Sequence, residues 1–104
     1  MNQRAKATSI PKRVKDSVWE RDDHQCVICH SLYAFPEAHY IRRSRGGLGI
    51  EENIVTLCRR CHRIFDEGTP SQQEAYGLII RAHLQRNYEN RDEKDLIYKK
   101  EGTE

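Results

Sequence analysis

Two Cys-x-x-Cys pairs constrain this chain more than any other feature of its sequence. They are Cys26/Cys29 and Cys58/Cys61, with residues 30–57 between them. Two such turns, brought together by a fold, supply the four soft tetrahedral ligands that zinc favours. A redox role would suit one isolated pair, but a matched set favours metal. We therefore predict a structural Zn²⁺ bound by all four thiolates, whose binding contributes directly to folding.

The composition agrees with a domain that needs such a metal. Of 104 residues, 37% are hydrophobic and 33% are charged, so a single domain with a small apolar core is expected. The N-terminus has no apolar signal segment, and no apolar run approaches membrane-spanning length. We expect a cytoplasmic protein with reduced thiols and no membrane partner.

Positive charge is concentrated near the second cysteine pair. The formal net charge is only +2, yet six arginines lie close together, with only Glu51 and Glu52 as acidic neighbours. Such a group is typical of phosphate contacts in a nucleic-acid-binding surface. The six are Arg42, Arg43, Arg45, Arg59, Arg60 and Arg63.

Four regions are predicted along the chain. Residues 1–10 are expected to be a flexible arm, 11–68 the central domain, 69–88 a helix packed on it, and 89–104 a charged, disordered tail. The apolar face predicted for the C-terminal helix consists of Ala75, Tyr76, Leu78, Ile79 and Ala82.

Within the central domain, the pattern predicts a helix from Lys12 to about Asp22 and two short strands, over 32–35 and 37–41. A glycine-rich loop over 44–49 follows. A second helix is expected after the second cysteine pair, ending at Gly68.

Three side chains of this domain suggest catalysis. His62 and Asp66 are four residues apart, so on a helix both face the same way and can share one ion. An imidazole and a carboxylate together suit a borderline or hard divalent cation. His39 has no thiolate role and is free to act as a general base near neutral pH.

His39, Asn53 and His62, in AHYIRRSRGG, EENIVTLC and CRRCH, resemble the three residues that give the HNH endonucleases their name. The resemblance is to the zinc-containing subclass with two Cys-x-x-Cys pairs, and in particular to its small bacteriophage-encoded members. It covers roughly residues 10–68.

This resemblance implies an α+β fold, namely a small ββα-metal domain with a zinc clamp and flanking helices. It implies metal-dependent hydrolysis of phosphodiester bonds in DNA. His39 would be the general base, His62 a metal ligand, and Asn53 either a ligand or the side chain that holds the loop. Asp66 stands where many relatives have a second histidine.

The family resemblance also suggests cofactors and partners. Mg²⁺ or Mn²⁺ is the expected catalytic ion, with Ni²⁺ or Zn²⁺ as alternatives. DNA is the expected partner, together with a phage packaging protein such as a terminase in a bacterial host cell. The protein would be a monomer or a weak dimer.

Ala38 departs from the family pattern, because Asp or His commonly ligates the metal at that position. Glu37, Asn53 or additional waters could complete the shell. Alternatively the register is shifted, so that His39 is the ligand and Tyr40 the base. Tyrosine, with an ordinary pKa near ~10, is a poor base at neutral pH.

The alternative function is a non-catalytic, zinc-stabilised nucleic-acid-binding module.

Overall fold

The computed structural model describes residues 2–100 of the chain. Its regular elements are helices α1 (Gln3–Thr8), α2 (Lys12–Arg21), α3 (Arg59–Glu67) and α4 (Pro70–Asn87), and strands β1 (Ala34–His39) and β2 (Ile54–Cys58). Short 3-10 turns lie at Arg43–Arg45, Glu51–Asn53 and Glu93–Leu96. Within residues 2–100, no helix has the length and apolar character needed to cross a bilayer.

The two strands form an antiparallel pair. Ala34 lies opposite Cys58 and His39 opposite Ile54, with a register shift between Phe35 and Ala38. Pro36 lies inside this shift, as expected for a residue that cannot donate to a ladder. The prediction of two strands, over 32–35 and 37–41, is wrong. Pairing with β2 resumes after the register shift, so the chain forms a single strand here. One strand thus carries the chain from the first cysteine pair to His39.

Helix α3 begins directly after β2. All five residues of β2 are buried, and Cys58 is the N-cap residue of α3, accepting a hydrogen bond from the Cys61 amide through its Sγ. The order strand, strand, helix is therefore continuous around the second cysteine pair. The α+β ββα arrangement expected from the resemblance is confirmed.

Two apolar clusters hold the flanking helices on this unit. The larger includes Leu57, Phe65 of α3, and Ile80 and Leu84 of α4. The smaller joins Val14 and Val18 of α2 to Ile54 of β2. Fully burying such a side chain stabilises the fold by about 1.5–3 kcal/mol, so these few contacts carry much of a small core.

Helix α4 turns a different face inward from the one predicted. Leu78 is 58% exposed and Ile79 is 46% exposed, whereas Ile80 and Leu84 are fully buried. Of the predicted face only Tyr76 packs against the core. The helix carries two adjacent apolar stripes, and the one at four-residue spacing meets α3.

The N-terminal segment is a helix instead of the predicted flexible arm. Asn2 caps α1 through its side chain, which accepts from the Ala5 amide. Thr8 is 2% exposed, and the Gly49 amide donates to the Ala7 carbonyl at 3.0 Å. A polar, patternless sequence is ordered here because its backbone groups pair with the glycine loop. Met1 lies outside the described residues.

The predicted disorder of the 89–104 tail is also wrong over its described part. Leu96 is 2% exposed, its carbonyl accepts from the Leu48 amide at 2.8 Å, and the Tyr98 amide donates to the Gly46 carbonyl at 2.7 Å. An apolar anchor and backbone pairing dock this segment on the glycine loop. Residues 101–104 lie outside the described residues.

Candidate active site

The four cysteines meet at one point. Their Sγ atoms lie within 4.8 Å of one another, and those of Cys29 and Cys58 are 3.7 Å apart. Tetrahedral Zn²⁺ with Zn–S bonds of ~2.3 Å requires sulfur separations of about 3.8 Å. The cluster therefore fits a tetrahedral metal ion.

The environment of Cys58 favours the thiolate that a metal ligand requires. Burial works against the charged form, but hydrogen bonds from the Cys61 amide and from neighbouring thiols outweigh it and lower the pKa of Cys58 to about 7. The N-cap position on α3 places the sulfur at the positive end of the helix dipole. Part of the clamp is thus ready to bind metal at neutral pH.

His39 lies at the end of β1 and contacts helix α1. Its Nε2 is 2.8 Å from the Thr8 carbonyl oxygen. Because a carbonyl only accepts, Nε2 carries the proton in the neutral ring and Nδ1 is left as a proton acceptor. Burial lowers the pKa of His39, while the Thr8 carbonyl acts in the opposite direction. The ring is therefore held neutral with a defined tautomer.

His62 and Asp66 lie on one face of α3, as their spacing predicts. His62 Nε2 and Asp66 Oδ2 are 3.2 Å apart, and the side chains are 31% and 42% exposed. Both line a cleft of about 240 Å³, here called the catalytic cleft. Its lining residues are His39, Arg42, Arg43, Ser44, His62 and Asp66. The structure brings His39, His62 and Asp66 to one cleft, whereas Asn53, the third predicted catalytic residue, does not line it.

The residue before His39 offers no ligand. Ala38 is 1% exposed and belongs to the core. Glu37 instead lines an adjoining cleft together with His39 and His62, and its Oε2 lies 3.6 Å from the Lys15 Nζ. Glu37 thus shares a cleft with His62, but among residues 2–100 only the four cysteines form a group of three or more potential metal ligands.

Asn53 has a structural position. It is fully buried; its Oδ1 accepts from the Ile41 amide at 2.8 Å. Its Nδ2 donates to the carbonyls of Ile41 at 3.1 Å and Leu48 at 2.9 Å. These bonds favour the alternative in which Asn53 holds the loop, because its amide joins the two ends of the glycine loop.

Tyr40, the residue that follows β1, does not line the catalytic cleft. It lines a separate cleft with Arg42 and Glu93. Burial and the charge of Glu93 raise the pKa of Tyr40. Both its position and the direction of this shift favour the register with His39 as base.

The six arginines do not form one surface. Arg43 donates to the side chains of Thr8 and Ser9, both at 3.0 Å, and so anchors α1. The Arg59 guanidinium lies 4.2 Å from the centroid of the Phe35 ring. Arg42 lines the catalytic cleft. Arg45, Arg60 and Arg63 are exposed.

Sequence reasoning missed a buried ionic network. The side chain of Asp22 is fully buried; its Oδ1 is 2.7 Å from both Arg21 Nε and His83 Nε2, and its Oδ2 accepts from the Thr56 amide at 2.9 Å. Burial opposes ionisation, but the bonds from His83 and Arg21 prevail and lower the pKa of Asp22 to about 2. Asp22 and His83 are 61 residues apart, so their contact leaves no local signal in the sequence.

The order of strand, strand and helix around His39 and His62, beside a four-cysteine clamp, defines a ββα-metal domain. Residues 26–65 match the model of the HNH endonuclease family. Over this segment the chain is similar to the HNH endonucleases, a family of nuclease-type enzymes. No curated protein and no solved structure matches the chain.

Proposed function

We propose that this protein is a metal-dependent endonuclease that hydrolyses phosphodiester bonds of DNA. The observation that carries the proposal is the convergence of His39, His62 and Asp66 on one cleft that also contains Arg42 and Arg43. A base, two ligands and fixed cations are what phosphodiester hydrolysis requires. A protein that only binds nucleic acid has no need of this arrangement.

His39 acts as the general base in this proposal. Nδ1 takes a proton from the attacking water, while the Thr8 carbonyl holds the ring and stabilises the imidazolium that forms. Because burial keeps the ring neutral, the base is available at neutral pH. Positioned general bases contribute typically ~10²–10⁴-fold to rate.

His62 and Asp66 would hold a divalent ion. An imidazole and a carboxylate 3.2 Å apart, with waters completing the shell, suit Mg²⁺ or Mn²⁺. A bound ion of this kind supplies Lewis-acid stabilisation of the phosphate and of the leaving oxygen. Asn53 contributes by keeping the loop after His39 in shape.

Zn²⁺ is the ion we propose for the cysteine clamp. Four thiolates in tetrahedral spacing form a closed site, which is typical of structural zinc and leaves no open position for chemistry. Removing it would remove folding free energy, since a chain with this small core depends on the clamp.

DNA is proposed as the partner, with phosphates held by Arg42 at the catalytic cleft and by the exposed Arg45, Arg60 and Arg63. Most contacts of this kind read the backbone and not the bases, so cleavage should be loosely specific or directed by another protein. A phage terminase remains the partner predicted from the family resemblance.

Nicking of supercoiled plasmid tests the proposal. Purified protein is incubated with plasmid in chelator and then with added Mg²⁺ or Mn²⁺. We expect metal-dependent conversion to relaxed or linear DNA. Binding without cleavage under every metal would favour the second candidate, a non-catalytic nucleic-acid-binding module, for which the absence of a ligand at Ala38 is the supporting observation.

A further inference from the structure

A second cleft lies on the other side of Arg42 from the catalytic cleft, and the proposed chemistry leaves it unused. It has a volume of about 440 Å³, within the ~300–1,000 Å³ typical of small-molecule sites. It is called the flanking cleft here. Its walls come from the segment that follows β1, from α3, from α4 and from the docked C-terminal segment.

The floor of the flanking cleft is apolar. Phe65 is 6% exposed, Ile97 is 37% exposed, and the half-buried Tyr40 presents an aromatic ring. Aromatic rings are the side chains on which nucleic-acid bases stack, and here two of them lie beside an aliphatic side chain. The floor therefore suits a flat, weakly polar group.

The rim of the flanking cleft is cationic. Arg42, Arg45 and Lys94 line it with one carboxylate, Glu93. Glu93 is already ion-paired with Arg81 at 3.1 Å, so it does not cancel the positive rim. A ligand with a flat apolar part and an anionic part matches this combination, and a nucleotide is such a ligand.

Gly77 keeps the floor open. It lies in the middle of α4, where glycine costs about 1 kcal/mol relative to alanine. A Cβ at this position would meet only the Phe65 Cε1, at an ordinary distance of 3.5 Å. Neither packing nor backbone conformation requires glycine here, but any larger side chain would project into the cleft.

Arg42 joins the two clefts. It lines both of them, and its Nη2 donates to the Phe65 carbonyl at 3.3 Å, which fixes the guanidinium between them. We propose that the flanking cleft binds the nucleotide next to the scissile phosphate, with its phosphate at Arg42 and Arg45 and its unstacked base on the floor. This inference rests on the proposed nuclease function.

Gly77→Leu tests the proposal by filling the cleft without touching the catalytic groups. Leucine is a better helix former than glycine, so the fold should be retained or stabilised, as a thermal melt would verify. We expect kcat/KM for plasmid nicking to fall about tenfold, since stacking of one base is worth that much. Ala82→Leu, on the exposed side of the same helix, is the matched control and should nick at the parent rate.

A binding measurement separates this proposal from the nuclease function. In the His39→Ala background, a thymidine dinucleotide with a terminal phosphate should shift the amide NMR signals of Gly77 and Ile97, and inorganic phosphate should not. Adding Gly77→Leu should abolish the shift of the Ile97 signal.

Three outcomes decide the matter. Equal nicking by the parent and Gly77→Leu overturns the flanking cleft and leaves the nuclease intact. If inorganic phosphate shifts the same amide NMR signals as the dinucleotide, the cleft binds only an anion, and the proposal is also overturned. If the parent does not nick at all, the proposed function fails, while the NMR experiment still reports on the cleft because it needs no activity.

Discussion

The Thr8 carbonyl oxygen lies 2.8 Å from the Nε2 of His39, which ties the proposed base to a helix outside the matched segment 26–65. Arg43 braces the same contact by donating to the Thr8 hydroxyl at 3.0 Å. The state of the base is thus set by residues that precede the HNH motif in the chain.

Deleting residues 2–9 should change the pH dependence of nicking. His39 then loses both the burial that lowers its pKa and the Thr8 carbonyl that raises it, and burial is the larger effect. The pKa should return toward 6.5, so the acidic limb of the kcat/KM profile should move to higher pH. The rate should fall about ten- to a hundredfold. NMR titration of the His39 ring measures the pKa directly.

Gly49→Ala provides a second variant in case the deletion unfolds the chain. A Cβ at Gly49 would overlap the Ser9 carbonyl, so the substitution displaces the end of α1 with the rest of the chain present. An unchanged His39 titration in a folded Gly49→Ala protein with displaced α1 would contradict the role given to Thr8.

His39→Ala should lower metal-dependent nicking by about a hundredfold or more, because the proposed base is removed. Its structural metal content, measured by atomic absorption, should be unchanged, since His39 is not part of the clamp. His24→Ala is the control: His24 is exposed and stacks on Trp19 at 4.9 Å, away from the cleft. Equal activity of the two variants would exclude His39 as the base.

Asn53→Asp distinguishes a positioning role from metal binding. A carboxylate would strengthen a metal ligand, but here it cannot donate to the Ile41 and Leu48 carbonyls. We expect the free energy of unfolding to fall by about 2–4 kcal/mol in urea denaturation, with nicking reduced in proportion to the loss of folded protein. A stable variant with tighter Mg²⁺ binding would contradict the structural assignment.

Removing the clamp metal should unfold the domain. Treatment with a strong chelator, or Cys58→Ser, should abolish the cooperative thermal transition, because metal binding to four thiolates is coupled to folding. Four thiols should become reactive as the metal leaves. Added Mg²⁺ should not restore the fold, whereas added Zn²⁺ should. A chelated protein that still melts cooperatively would show that the clamp is dispensable.

Acid should destabilise the fold through Asp22. Its pKa is lowered from 3.8 to about 2, so its contribution is fully present above pH 3.8 and is lost as the pH falls toward 2. The shift corresponds to about 2 kcal/mol of unfolding free energy. Asp22→Asn should be less stable at neutral pH and should lose less stability over this interval. Asp16→Asn, an exposed carboxylate paired with Lys12, is the control.

Features set by neighbours in sequence could be predicted. The cysteine pairs define their own metal site whatever surrounds them, and four-residue spacing on a helix places His62 and Asp66 together. For Asn53 the sequence predicted two alternative roles, metal ligand or side chain that holds the loop. Only the burial of its amide, which depends on the whole loop, favours one role over the other.

Features that depend on distant contacts could not be predicted. The choice between the two stripes of α4 is decided by α3 and by the His83 contact with Asp22, neither of which shapes local periodicity. Likewise, the sequence of α1 has no apolar pattern from which a packed helix could be predicted. The helix is held in place by hydrogen bonds of backbone groups and of Arg43. Polar docking of this kind leaves no hydrophobic signature.

The docking of residues 96–98 on the glycine loop has a consequence for the timing of synthesis. The Gly46 carbonyl and the Leu48 amide receive their partners from Tyr98 and Leu96, which leave the ribosome long after the loop itself. A nascent chain that already contains His39, His62 and both cysteine pairs therefore still lacks these two backbone contacts of the loop. The loop, and with it the proposed cleavage activity, should reach full stability only once residue 98 has been translated.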